Sequence, residues 1–315
     1  MLDNAHLVAL CNEKLMPGLR DQVGKTSLYW KRAYGDKSAK DKYKASVELS
    51  KMLSYGDKPP TETDGKFTTV IPTEFHGEMQ MAVKYRYLVG DVLLTDSDKI
   101  SNQGDAIVDL VATRIKNSGT GIKKRAGEVI FTGNNATNPL QIDGLGVVID
   151  DANTWAGINR TLNPWFAAKK IDSGARVWTR DEINLMHVNL TTGLEERPTL
   201  QITHQTLWLK AAETLMEMDK ALSAHKGLAE VGIENFIMNG SMVIKDVYCP
   251  EGWWIHLNEN VTNLYVEPTM DMKMEDFIPV SNQPHAQVSY IKFGYVLWCE
   301  EPRLNGIHKN LTLTA

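Results

Sequence analysis

Two glycine patterns carry the first chemical suggestion in this chain. Gly119-Thr-Gly121, followed by Lys123 and Lys124, puts flexible backbone beside two ammonium groups, as a phosphate-cradling loop does. The spacing GxxxxGK[ST] is absent, and no apolar strand pattern leads into it, so nucleotide binding is not expected. Gly144-Leu-Gly146 lacks the third glycine of a dinucleotide fingerprint and reads as a turn before a strand-like Val147–Ile149. Asp150 with Asp151, and Asp271 with Glu275 and Asp276, could offer carboxylate oxygens to a divalent cation, but adjacent carboxylates more commonly cap turns. The histidines, among them His76, His187, His204 and His256, never fall into HxxxH or HxH spacing. Cys11, Cys249 and Cys299 are far apart and form no CxxC, so they read as small packing residues in a reducing compartment. With no GxSxG elbow either, the chain is expected to hold no catalytic residue, no metal and no cofactor, and to be a binding or structural protein.

The composition can build a large core, with 43% hydrophobic residues, 8 Trp and 10 Tyr in 315 residues. No run approaches the roughly 18 apolar residues that cross a bilayer, and the start lacks a signal-peptide pattern, so a cytoplasmic origin is expected. Charge is divided unevenly. Residues 1–58 hold 11 Lys or Arg against 7 Asp or Glu, a balance of +4, while the remainder carries −9 of the net −5. A basic arm on an acidic body suits an acidic surface or nucleic acid.

The periodicity changes along the chain. The arm, residues 1–58, alternates short apolar clusters with charge, ends in SYGDKPP and shows no core of its own. Residues 59–90 then read as a long hairpin: Met79, Met81, Val83, Tyr85 and Tyr87 alternate with Gln80, Ala82, Lys84, Arg86 and Leu88, with Phe67–Ile71 as the partner strand. A helical stripe follows through Ile107, Leu110, Val111 and Ile115 and continues to Ile130, bent or broken at Gly119 and Gly121. Further helices are predicted around 179–190, where Thr179 and Glu182 have capping-box spacing, and over 205–221. Strands are predicted at 199–203, 236–238, 242–247 and 253–257, with a final alternating pair at 287–300 and 306–314. The whole is α+β, without a βαβ rhythm.

Five segments, in this order, resemble the major capsid proteins of tailed bacteriophages with the Hong Kong 97-type fold. They are AVKYRYLVGDVLLTDSDKISNQGDAIVDLVATRIK; AGEVIFTGNN; GLGVVIDDANTWAGINRTLNPWF, residues 144–166; RPTLQITHQTLWLKAAETL; and NQPHAQVSYIKFGYVLWCEEPRLNGIHKNL, residues 282–311. The central one departs from the family's pattern at Ile149, and at Ala156 where glycine is frequent. The resemblance covers residues 65–311 and rests on the order of loose motifs.

What it implies is a Hong Kong 97-like capsid fold: an N-terminal arm (1–58), an extended loop hairpin (59–90), a peripheral domain with spine helix and long strands (91–139 and 276–315), and an axial domain (140–275). The implied function is self-assembly into hexamers and pentamers that enclose double-stranded DNA in a virion, with a separate scaffolding protein, a portal protein and a decoration protein as further partners, and no membrane. The arm is too short to hold a cleaved scaffolding segment. Lys66, the one lysine at the start of the hairpin, has no placeable acidic partner for a crosslink. On this reading Lys66, Phe67, Met79, Met81, Val83 and Tyr85 contact neighbouring subunits, and Lys37, Lys40, Lys42 and Lys44 face DNA without sequence preference. Deleting 66–86 is expected to leave a soluble subunit that forms no shell. The alternatives are an encapsulin-type nanocompartment shell and a soluble α+β enzyme.

Overall fold

The computed structural model describes residues 27–30, 32–33, 44, 48–54, 78–101, 105–172, 174, 176–191, 196–222 and 236–313. In chain order, the labelled elements begin with β1 (Glu48–Ser54), β2 (Glu78–Lys84), β3 (Arg86–Thr95), α1 (Asp96–Ser101), α2 (Asp105–Thr132), α3 (Leu145–Val148), β4 (Thr154–Trp155) and β5 (Ile158–Asn159). They continue with β6 (Lys169–Asp172), α4 (Arg180–Thr191), β7 (Leu200–Thr203), α5 (Gln205–Leu222), β8 (Phe236–Met238), β9 (Ser241–Lys245) and β10 (Trp254–Leu257). The last are β11 (Thr262–Met274), β12 (Ile278–Val280), β13 (Gln283–Cys299) and β14 (Gly306–Lys309).

Two larger sheets carry the α+β architecture. In the first, the long β13 pairs antiparallel with β3, β11 and β12, and α2 lies across it. The helix comes so close that a Cβ at Gly90 of β3 would sit 2.3 Å from Ser118 Oγ and 3.0 Å from Ile122 Cδ1. This packing keeps α2 as one continuous helix of 28 residues, where Gly119 and Gly121 predict a break. Burial of Ile115, Ile122, Ala126, Val129 and Ile130 outweighs the roughly 1 kcal/mol that each glycine costs. Thr95 and Asp98 cap α1 reciprocally, and Arg114 of α2 donates to Asp98 and to the Leu93 carbonyl, joining helix to strand.

The second sheet has six strands in the order β6-β14-β10-β7-β9-β8, with α4 and α5 packed on it. Its β8–β9 connection is Asn239-Gly240, both at positive φ (54° and 76°), the geometry a two-residue type I′ hairpin requires.

Several boundaries differ from the sequence expectation. The partner of β2 is β1, in register from Glu48↔Lys84 to Ser54↔Glu78, so the end of the predicted arm is a hairpin strand; Phe67–Ile71 lie outside the described residues. β11, assigned by sequence to the axial unit, belongs to the first sheet. β14, expected beside β13, pairs instead with β10 and β6. Strand periodicity shows which face is buried but not which strand lies alongside.

The arm is also not without a core. At residues 27–30 and 32–33 it enters the body: Trp30 packs 5.6 Å from Phe293 and 5.8 Å from Tyr295 between ring centroids, and Tyr29 packs 6.0 Å from Phe131. Ser27 Oγ and the Tyr29 N–H both donate to Asp246 Oδ2, and burial raises that carboxyl's pKa against these hydrogen bonds.

Candidate assembly interface

The segment 144–166 is organised by two close approaches and one buried cation. Gly144 follows the end of α2, where its N–H donates to the Gly133 carbonyl at 2.9 Å; a Cβ there would stand 2.6 Å from the Val129 carbonyl oxygen. A Cβ on Gly146 would strike the Trp253 ring at 2.4 Å. These contacts make Leu145–Val148 a short helix, where apolar content alone suggests a strand. Arg160, fully buried, reaches back to the end of that helix and donates to the Val147 and Val148 carbonyls at 2.8 and 2.6 Å. Its guanidinium lies 5.5 Å from the Trp155 ring, which stacks on Phe166 at 5.8 Å. Burial lowers the Arg160 pKa to about 10, so the group is charged at neutral pH.

Asp150 caps the following turn by accepting from the backbone of Asp151 and Ala152, and it pairs with Lys170 at 3.2 Å. Burial works against its charge, but these hydrogen bonds prevail and hold its pKa below the ordinary value. The β4–β5 turn is Ala156-Gly157, with φ of 52° and 86°, and the Ala156 carbonyl accepts from the Ala82 N–H of β2. An L residue in the left-handed region costs about 1–2 kcal/mol, only partly offset against glycine's entropy. Ala156→Gly is therefore expected to raise unfolding stability by about 0.5–1 kcal/mol, read as a higher urea midpoint at unchanged slope.

Of the residues expected to meet neighbouring subunits, Met81 and Tyr85 are buried in the chain's own core, and Met79 and Val83 are half-buried against it. The cause is the register. Leu49, Lys51 and Leu53 of β1 stand opposite Val83, Met81 and Met79, so that face of the hairpin lies on the body, held also by the Lys51–Glu300 ion pair. The opposite face is mostly polar, with Glu48, Ser50, Gln80 and Lys84 around an exposed Met52. Lys66 and Phe67 lie outside the described residues, as do Lys37, Lys40 and Lys42. Lys44 is exposed, but its ammonium sits 4.2 Å above the Tyr265 ring and its carbonyl accepts from Tyr85 Oη.

An apolar surface appears where the sequence reading placed none. On β3, Leu88, Gly90, Val92 and Leu94 face α2, while Tyr87, Val89 and Leu93 face outward, 42%, 56% and 41% exposed. The strand pairing aligns Leu93 with Val288 and Val288 with Ile278, which is 50% exposed, so the apolar row crosses the sheet. An exposed apolar sheet face of this kind marks an interaction surface. Its sequence signal is a strand apolar on both faces.

Between the hairpin and the body lies a cleft of about 610 Å³, lined by Glu48, Lys84, Arg86, Asn135, Asp143 and Trp155 among others. Burial raises the Asp143 carboxyl against hydrogen bonding from Asn135 and the charge of Arg86. Among the described residues no Ser, Cys or His lines the cleft. No helix among the described residues is long and apolar enough to cross a membrane.

No protein-family model and no curated protein sequence matches the chain. Solved structures do. The capsid of cyanophage A-1(L) superposes with a TM-score of 0.67 at 13% identity, covering 86% of this chain and 91% of that one. The capsid of an empty GTA particle gives 0.56 at 13% identity over 86% and 93%. A virus-like particle from Pyrococcus furiosus gives 0.50 at 12% identity over 94% and 98%. What the chain shares with them is the fold, and that fold is the Hong Kong 97-like capsid fold.

Proposed function

We propose that this chain is a structural shell subunit and not an enzyme: the major capsid protein of a tailed bacteriophage, assembling into hexamers and pentamers that enclose double-stranded DNA in a virion. The observation that carries the reading is the superposition on the cyanophage capsid over 86% of the chain. The apolar row on β3 and Ile278 supports it, since a lattice of many copies gives such a face a partner, and modest interfaces sum across the lattice. A scaffolding protein, a portal and a decoration protein are the further partners of this reading, with synthesis in a host bacterial cytoplasm.

The corrected hairpin changes the test. Deleting 66–86 would remove Met81 and Tyr85 from the core, so failure to assemble would report only misfolding. Replacing 55–77 by Asn-Gly instead joins Ser54 to Glu78, which already face each other in register. The expected variant is soluble, with the wild-type unfolding midpoint, and forms no closed particles by electron microscopy or sedimentation where the wild type does. Normal particles from the variant, or a wild type absent from every purified particle, would overturn the proposal. Nuclease-protected DNA inside native particles supports the phage reading, and protein cargo there replaces it with an encapsulin-type shell.

A further inference from the structure

Three histidines that are far apart in sequence meet under α4. His256 on β10 and His308 on β14 have ring centroids 6.2 Å apart, and His187 on α4 lies 6.2 Å from His256. Their exposures are 0%, 1% and 8%. Both ring nitrogens of His256 and of His308, and Nδ1 of His187, are buried with no hydrogen-bond partner. Native interiors satisfy nearly all such atoms, so five together call for a reason.

The polar groups around the three rings are only partly committed elsewhere. Gln201, opposite His256 on β7, donates to the Met238 carbonyl and accepts from Trp254 Nε1. Glu182, the one acid whose charge favours protonated His308, is paired through Oε1 with Arg176, whose own charge opposes it, while its Oε2 is buried without a hydrogen-bond partner; Arg197 opposes protonation of His187. On β6, Lys169 shares the His308 face but is exposed; in the 302–304 turn Arg303 pairs with Glu301 at the surface. Among the described residues no three His, Cys, Asp or Glu side chains are arranged to hold a metal ion. The cluster also lies at a joint: a Cβ on Gly306, which pairs with His256, would stand 2.9 Å from Leu190 Cδ1 and from Met186 Sδ of α4.

We propose that this cluster is an acid-sensitive latch, which holds α4 on the six-stranded sheet while the three imidazoles are neutral and releases it when they take up protons. Burial lowers His308 to about 4, puts His256 well below its ordinary 6.5 and lowers His187. The sign follows from these directions. A folded base with a depressed pKa binds fewer protons than the open form, so the closed state is fully favoured above pH 6.5 and loses ground as pH falls from there towards 4. Each histidine raises the opening equilibrium by up to about tenfold per pH unit in that window. The latch is independent of what any shell encloses.

The test is hydrogen–deuterium exchange on the full chain at pH 7.5, 6 and 5, corrected for intrinsic rates, reading the 180–191 peptide against α2. Protection of α4 is expected to fall by about a hundredfold or more between pH 7.5 and 5 while α2 keeps its own. His256→Leu with His308→Leu is expected to remove most of that fall. Should the double variant not fold, His187→Leu is read instead, and its pH slope must be about one proton shallower than wild type. Protection of α4 independent of pH, opening of α4 and α2 together with the variants unchanged, or one metal ion per chain lost with His256→Leu would each overturn the latch.

Discussion

Arg160→Met is expected to lower unfolding stability by about 3–5 kcal/mol, the range for breaking a buried ionic hydrogen-bonded set. The guanidinium is fully buried and donates to the Val147 and Val148 carbonyls, so the substitution leaves two acceptors at the end of α3 facing an apolar side chain. Methionine keeps most of the volume, so the loss measures hydrogen bonding and charge more than a cavity. Lys170→Met provides the contrast. Its side chain is 25% exposed and its partner Asp150 keeps two backbone donors, so a cost near 1 kcal/mol is expected. Equal costs for the two in urea unfolding would show that Arg160 does not organise the segment.

The second large effect is at Trp30. Trp30→Ala removes a fully buried indole that packs against the stacked rings of Phe293 and Tyr295 and is expected to cost about 3–5 kcal/mol. Its companion Arg32 holds Glu259 through a bidentate ion pair whose side chains are 37% and 24% exposed, so Arg32→Ala should cost less than about 1 kcal/mol. The distinction decides what fastens residues 27–33: packing dominates, and high salt should leave the segment in place. Limited proteolysis near residue 27 that is fast in Trp30→Ala and slow in Arg32→Ala would bear this out, and the reverse order would refute it.

Much of the fold was legible because local pattern and local structure agree. The apolar spacing of Leu207 and Ala211 marks α5, and the runs before and after it mark β7, β8, β9 and β10. The order of motifs around GLGVVIDDANTWAGINR marks the architecture, and the geometry gives its residues physical roles: Gly144 and Gly146 permit close approach, Asp150 caps and Arg160 clamps. Pairing was not legible. Nothing in the spacing of Met79, Met81 and Val83 distinguishes a face laid on a neighbouring subunit from one laid on the core of the same chain. The histidine cluster escaped for the same reason. His187, His256 and His308 have no ligand-like spacing, and only the β10–β14 pairing and the seating of α4 bring them together.

The position of β14 has a consequence in time. Residues 306–309 form an inner strand, with β6 on one side and β10 on the other, both made long before it. A nascent chain stopped short of residue 306 holds two facing edges with nothing between them, and the six-stranded sheet closes only when this late segment arrives. However early β6 and β10 are made, neither can gain its shared neighbour before residue 306 has been synthesised, so the order of synthesis sets the order in which this sheet can be completed.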